Sequence, residues 1–187
     1  MKKVIIFSLM LVTTSLLFAV NSSNTITLKE EIGYNGYNNM GSYSTSFNEY
    51  NVNSFSSNTV LGNTIKIMPA KNVGAVISTG LGYQKDIYDY NRFASIPSNI
   101  NGKATIGVVY CPTYEFDVSL SGGLRTTSLL SKSNWISQIG GEVLLEYNFD
   151  FGLNLSLSAA YWYNTNYRSI VCGVGLGYCF GGERWER

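Results

Sequence analysis

Histidine does not occur in the 187 residues, cysteine and proline occur three times each, and only 13% of the chain is charged. Without histidine there is no Ser-His-acid triad and no imidazole base, so the commonest routes to hydrolytic and acid–base catalysis are closed. The commonest metal ligand is missing too, and the acids are scattered without the Asp/Asn-rich spacing of a calcium loop; neither a cofactor nor a metal is expected. Three cysteines raise the question of a single disulfide in an oxidising compartment. The charged fraction is about half the ~25% of soluble domains, and 13 basic against 12 acidic residues give no electrostatic footprint for nucleic acid. Past the first 20 residues no apolar run approaches the ~20 needed for a spanning helix, which excludes a helical membrane protein.

What is present begins with a leader. Met1, Lys2 and Lys3 are followed by an apolar stretch over 4–18 and by small residues at Ala19 and Ser22, the order of a secretory signal peptide with cleavage at about 19–22. A membrane anchor is the rival reading, but the apolar length is marginal and no basic stop-transfer cluster follows. Removing Lys2 and Lys3 leaves 11 basic residues against 12 acidic, a net charge near −1. The division expected is therefore 1–22 signal peptide, 23–180 one β domain, and 181–187 a short tail.

The β domain is read from its last apolar run, 169–180. Ile170, Cys172, Val174, Leu176, Tyr178 and Phe180 share one face; Val171, Gly173, Gly175, Gly177 and Cys179 share the other. A period of two is the signature of a strand. The same alternation recurs over 24–34, 59–68, 73–83, 104–112, 114–124, 137–149 and 151–163, making eight strands. Strand 73–83 is the clearest, with Ile77, Leu81 and Tyr83 on one face and Gly74, Ser78, Gly80 and Gly82 on the other. Connections alternate between long (35–58, 84–103, 125–136, 164–168) and tight (69–72, 112–113, 150). Aromatics of apolar-face parity gather beside the tight turns (Tyr110, Tyr114, Phe116, Tyr147, Phe149, Phe151, Tyr178, Phe180) and at the long loops (Tyr34, Tyr83, Trp135, Tyr161, Tyr163). Two such girdles around an apolar band predict an all-β, eight-stranded antiparallel up-and-down transmembrane β-barrel. Glu30 and Asn63 interrupt the outward pattern, which suggests a bulge or a position at an interface. A soluble secreted lipocalin-like barrel binding a small hydrophobic ligand is the other architecture weighed, but it would have to turn the glycine-rich face to water.

At this point the chain resembles the small eight-stranded outer-membrane barrels of the OmpA/OmpX type. The most specific residues are 175–180, where Gly175, Tyr178 and Phe180 are similar to the assembly signal that such proteins carry on their last strand. The resemblance implies insertion by the barrel-assembly machinery into the outer membrane of a diderm bacterium, with loops extracellular and termini periplasmic. It also implies the absence of catalysis, since the barrel enzymes of that membrane rely on histidine, and loops that serve adhesion or resistance to host factors.

An eight-stranded barrel is just wide enough for its own side chains. Inward parity collects Lys29, Glu31, Lys66, Glu115, Asp117, Arg125, Glu142 and Glu146, read either as a self-satisfied network or as the lining of a narrow ion-conducting porin. Cys111 and Cys179 have inward parity near the tight-turn rim, so that either a cross-lumen disulfide or two free thiols is open; Cys172 faces outward. The first two loops are rich in Tyr, Asn, Ser and Gly, and Tyr37, Tyr43, Phe47, Tyr50, Tyr88 and Tyr90 are the binding candidates, since rigid aromatics among small polar residues suit recognition loops. The function expected is a non-enzymatic surface protein with a structural or adhesion-type role, its partners being the bilayer, the assembly machinery and host surface or matrix molecules, not nucleic acid.

Overall fold

The computed structural model describes residues 22–37, 52–68, 70, 72–89, 99–129, 134–165 and 167–180. Residues 1–21 and 181–187 lie outside them, and with them the expected signal peptide over 1–22 but for its last residue and the expected tail. Eight strands follow one another: β1 (Ser22–Tyr37), β2 (Val52–Ile67), β3 (Val73–Asp89), β4 (Asn99–Tyr110), β5 (Phe116–Leu129), β6 (Asn134–Asn148), β7 (Leu153–Asn164) and β8 (Tyr167–Phe180). Each pairs antiparallel with the next, and β8 returns to β1 from Asn24↔Phe180 to Tyr37↔Tyr167, so the sheet closes on itself. Closure leaves no strand with an open edge, which is what a β structure needs in lipid.

Alternation decides the two surfaces. Leu28, Ile32, Leu61, Ile106, Leu120, Ile139 and Leu176 all point outward and are each more than half exposed, while the residues between them are buried inside. The exposed apolar residues form a continuous band edged by aromatics: Tyr147–Phe149 and Tyr178–Phe180, both at 4.9 Å between ring centres, at the tight-turn end, and Tyr34–Phe55 at 5.3 Å at the other. A water-facing exterior of this kind would aggregate, whereas hydrocarbon accepts it. The lipocalin-like alternative requires the reverse, an apolar cavity behind a polar wall, and the structure does not have it. Tyr114 stands half-buried in the bend before β5, just short of the strand on which the sequence placed it.

Several strands run past the ends that hydrophobic alternation gave them. β2 starts at Val52, seven residues before the expected position, β3 continues to Asp89, and β4 starts at Asn99. Beyond the apolar band nothing requires a hydrophobic face, so alternation fades while backbone pairing continues; Ser54↔Asp89 and Gln84↔Asn99 still pair there. The connection expected to be long over 164–168 is instead tight, because β7 ends at Asn164 and β8 begins at Tyr167.

At the opposite rim, Gly152 adopts φ of 93°, a left-handed conformation that suits glycine, and its amide donates to the Phe149 carbonyl at 2.9 Å. The Tyr178 ring lies over it, so that an added Cβ would come 2.9 Å from ring carbon Cζ. Inside, Gly175 of β8 gives its space to neighbours: a Cβ there would meet Lys29 Cγ and Ser156 Oγ, both at 2.6 Å. Replacing Gly175 with Val is expected to overpack the lumen and cost about 1–3 kcal/mol, measured by urea unfolding of the refolded barrel. Leu176→Ile, one residue away on the outer face, should cost less than about 1.5 kcal/mol, as volume-conserving apolar changes usually do.

Candidate functional site

The interior is polar, and side chains from opposite walls meet across it at three levels. Nearest the tight turns, Lys66 of β2 reaches Asp117 of β5 and Glu146 of β6, each at 2.6 Å. Asn148 Nδ2 donates to Asp117 at 2.8 Å, and Asn154 Nδ2 donates in turn to Asn148 Oδ1 at 2.9 Å. Below this layer Met68, Val76 and Val109 form an apolar cluster with Cys111 packed against it. At mid-height Lys103 of β4 donates to both oxygens of Glu142 on β6, at 2.7 and 2.8 Å, and stands 3.7 Å from Glu31 of β1. Lys29 meets Glu142 from β1 at 3.5 Å, while Asn58 Nδ2 donates to Glu31 at 2.7 Å.

The third level is toward the loops. Arg125 of β5 donates to Gln84 at 3.2 Å and to Ser169 of β8 at 3.3 Å. The Tyr167 hydroxyl donates to Asn35 Oδ1 at 2.9 Å, and the Trp162 side chain is 2% exposed nearby in sequence on the inward face. Described residues with buried, inward charge are thus Lys29, Lys66, Lys103 and Arg125 against Glu31, Asp117, Glu142 and Glu146, a balance of four and four. A buried charge is costly until it is paired, so the balance is what a low-dielectric lumen demands.

Two members of this arrangement differ from the sequence reading. Lys103 was assigned to a loop, yet β4 starts four residues before it and turns it into the lumen, where it joins β4 to β6 and β1. Glu115 was assigned to the network, but β5 begins only at Phe116, and Glu115 sits half-buried in the preceding bend. No ion pair among the described residues includes it; its carbonyl instead accepts from the Asn148 amide at 2.6 Å. The inward apolar residues Val60, Leu144 and Trp162 were not foreseen, whereas Val171 is buried on the face where its parity put it. Trp162 had a signal, since it falls between Tyr161 and Tyr163, both of outward parity.

All three cysteines are free. Cys172 faces outward and is exposed, whereas Cys111 and Cys179 are half-buried at the tight-turn rim. Just past the end of β4, burial pushes the Cys111 thiol up to about 12, reinforced by its hydrogen bond to Asp117. No group of three acids or cysteines among the described residues is placed to hold a metal ion. Of the loop candidates, Tyr37 and Tyr88 fall at the ends of β1 and β3, while Tyr43, Phe47, Tyr50 and Tyr90 lie outside the described residues. The three residues of the expected assembly signal share the end of β8: Gly175 packs on Lys29 and Ser156, and Tyr178 packs against Phe180.

No protein-family model matches the chain, and a comparison with curated proteins finds no match. Solved structures do match. The attachment invasion locus protein Ail of Yersinia pestis is 12% identical, with a TM-score of 0.51 covering 86% of this chain and 100% of that one. Ail in complex with the heparin analogue sucrose octasulfate is 13% identical, with a TM-score of 0.54 over the same shares. OprG of Pseudomonas aeruginosa is 12% identical, with a TM-score of 0.48 covering 88% of this chain and 98% of its own. At such identities the likeness is one of fold, that of eight-stranded outer-membrane barrels.

Two outcomes are expected. Lys66→Met leaves Asp117 and Glu146 buried without a cation and should destabilise the barrel by about 3–5 kcal/mol in urea unfolding; a loss below 1 kcal/mol would show that the pair does not hold the lumen. At pH 8 only about one Cys111 thiol in ten thousand is ionised if it titrates near 12. In a chain carrying Cys172→Ser and Cys179→Ser, a maleimide should therefore label Cys111 far more slowly in the folded barrel than after denaturation.

Proposed function

We propose that this chain, which has the fold of the small eight-stranded outer-membrane barrels, is a non-enzymatic outer-membrane protein of a diderm bacterium that acts at the cell surface through its long connections. The observation that carries this reading is the filled lumen. Lys66, Lys103 and Arg125 each reach across to another wall, so the interior serves as a core, and the loop end is left as the surface available for recognition. In this reading the loops face outward from the cell, both ends of the barrel face the periplasm, and Gly175, Tyr178 and Phe180 present the last strand to the barrel-assembly machinery.

An adhesion-type role is the finer form of the proposal. Support comes from the sequence over 38–51, where Tyr43, Phe47 and Tyr50 stand among Asn and Ser, a composition that combines rigid contact area with adaptable hydrogen bonding. It comes also from the likeness in fold to a protein described as an attachment factor, one of whose structures holds a heparin analogue. The candidate partners are host surface or matrix molecules. The absence of histidine supports a non-catalytic role.

Two measurements test this. The leader-free chain should need detergent or lipid to fold and should migrate differently on a gel before and after boiling; a water-soluble monomer would refute the membrane reading. Because β1 runs to Tyr37 and β2 starts at Val52, the loop to delete is 38–51, replaced by a short turn. The shortened barrel should keep its heat-modifiable migration and lose binding to host cells or matrix; unchanged binding would remove that loop from the proposal.

A further inference from the structure

One feature of the outer surface does not fit the apolar band. Glu30 of β1 points outward and is exposed, and it lies at the middle of the band. Along β1 it stands four residues from Ile26 and four from Tyr34, and it pairs with Val174, itself midway between Tyr178 and Ile170 on β8. The register from β1 to β2 runs without a shift past Glu30↔Thr59, so neither a bulge nor an interface position accounts for it. Its outward neighbours Leu28, Ile32, Leu61 and Val174 are each more than half exposed and apolar. Acyl chains offer such a group nothing, and a polar side chain on the lipid face of a barrel is costly near the midplane.

The chemistry of the site indicates what covers it. Thr59, beside Glu30 on β2, donates its hydroxyl to Glu30 Oε1 at 2.7 Å. In its acid form the carboxyl then has one donor left, on Oε2, and the Thr59 oxygen has one acceptor left. What the pair lacks is what a second identical pair supplies. We propose that two copies of the barrel associate in the membrane through their β1–β2 faces, with the Glu30–Thr59 pair of each copy hydrogen-bonded to that of the other.

The geometry of membrane dimers agrees. A two-fold axis along the membrane normal keeps every residue at its own depth in both copies, and such an interface uses the same patch twice. An axis passing between β1 and β2 sets Glu30 of each copy against Thr59 of the other, because the two residues lie side by side in the ladder. Four hydrogen bonds then close a ring: each Thr59 donates to its own Glu30, and each Glu30 donates to the second copy's Thr59.

The inference rests on the barrel spanning a bilayer. The test is photobleaching-step counting on the leader-free chain, labelled at its amino terminus and reconstituted in phospholipid bilayers over a range of protein-to-lipid ratios. Wild type should bleach in two steps as the ratio rises. Glu30→Leu, confirmed as folded by its heat-modifiable migration, should associate about tenfold more weakly, and Glu30→Gln, which keeps one donor group and one acceptor, should stay paired. An inserted wild type that is monomeric at every ratio would overturn the proposal while leaving the barrel reading intact, and a chain that does not insert would sink that reading first. Equal association by Glu30→Leu, or loss of pairing by Glu30→Gln, would also overturn it. Association seen only in native membranes would assign the patch to a different membrane protein.

Discussion

Ion pairing across the lumen is the constraint on which the rest of this structure depends. Eight strands leave an interior too narrow for bulk water and too polar for an apolar core. Lys66 answers this by holding Asp117 and Glu146, and Lys103 by holding Glu142 between β4 and β6. Each contact joins walls that do not pair through their backbones. Space for Lys29 and Glu31 comes from the neighbouring strand, where Gly175 and Gly173 of β8, paired in register with them, would clash with these side chains if they carried a Cβ. The glycine-rich face of β8 and the charged faces of β1 and β6 are therefore two halves of one packing solution.

With the charges paired inside, the exterior is free to meet the solvent it lies in. The apolar band with its two aromatic edges is matched to hydrocarbon bounded by two interfaces. Glu30, with Thr59 beside it, is the exception, and its depth makes it a feature of association rather than of stability. Toward the tight-turn rim Val76 and Val109, on the inner side of β3 and β4, form an apolar cluster with Met68 just past the end of β2.

How much of this was legible in the sequence follows from where the physics imposes a pattern. Within the band each outward position must be apolar and each inward position small or polar, so the parity of Leu28, Lys29, Lys66, Glu142 and Leu176 could be read directly. Outside the band that demand vanishes, and the strand ends at Val52, Asp89 and Asn99 left no trace in the alternation. Lys103 was lost for this reason and Glu115 wrongly included, because both lie where a strand boundary decides which way a side chain points. Trp162 was missed because aromatics were assigned to the girdles, although its parity is inward. Which cation meets which acid depends on barrel closure and register, and a list of inward residues contains neither.

The most direct test of a lumen that serves as a core is current through the refolded, leader-free barrel in a planar bilayer under applied voltage. A correctly folded protein is expected to stay electrically silent, because Lys66, Lys103 and Arg125 hold opposite walls together. Stable conductance steps that change with Glu142→Gln would contradict this and move the function from the loops into the barrel.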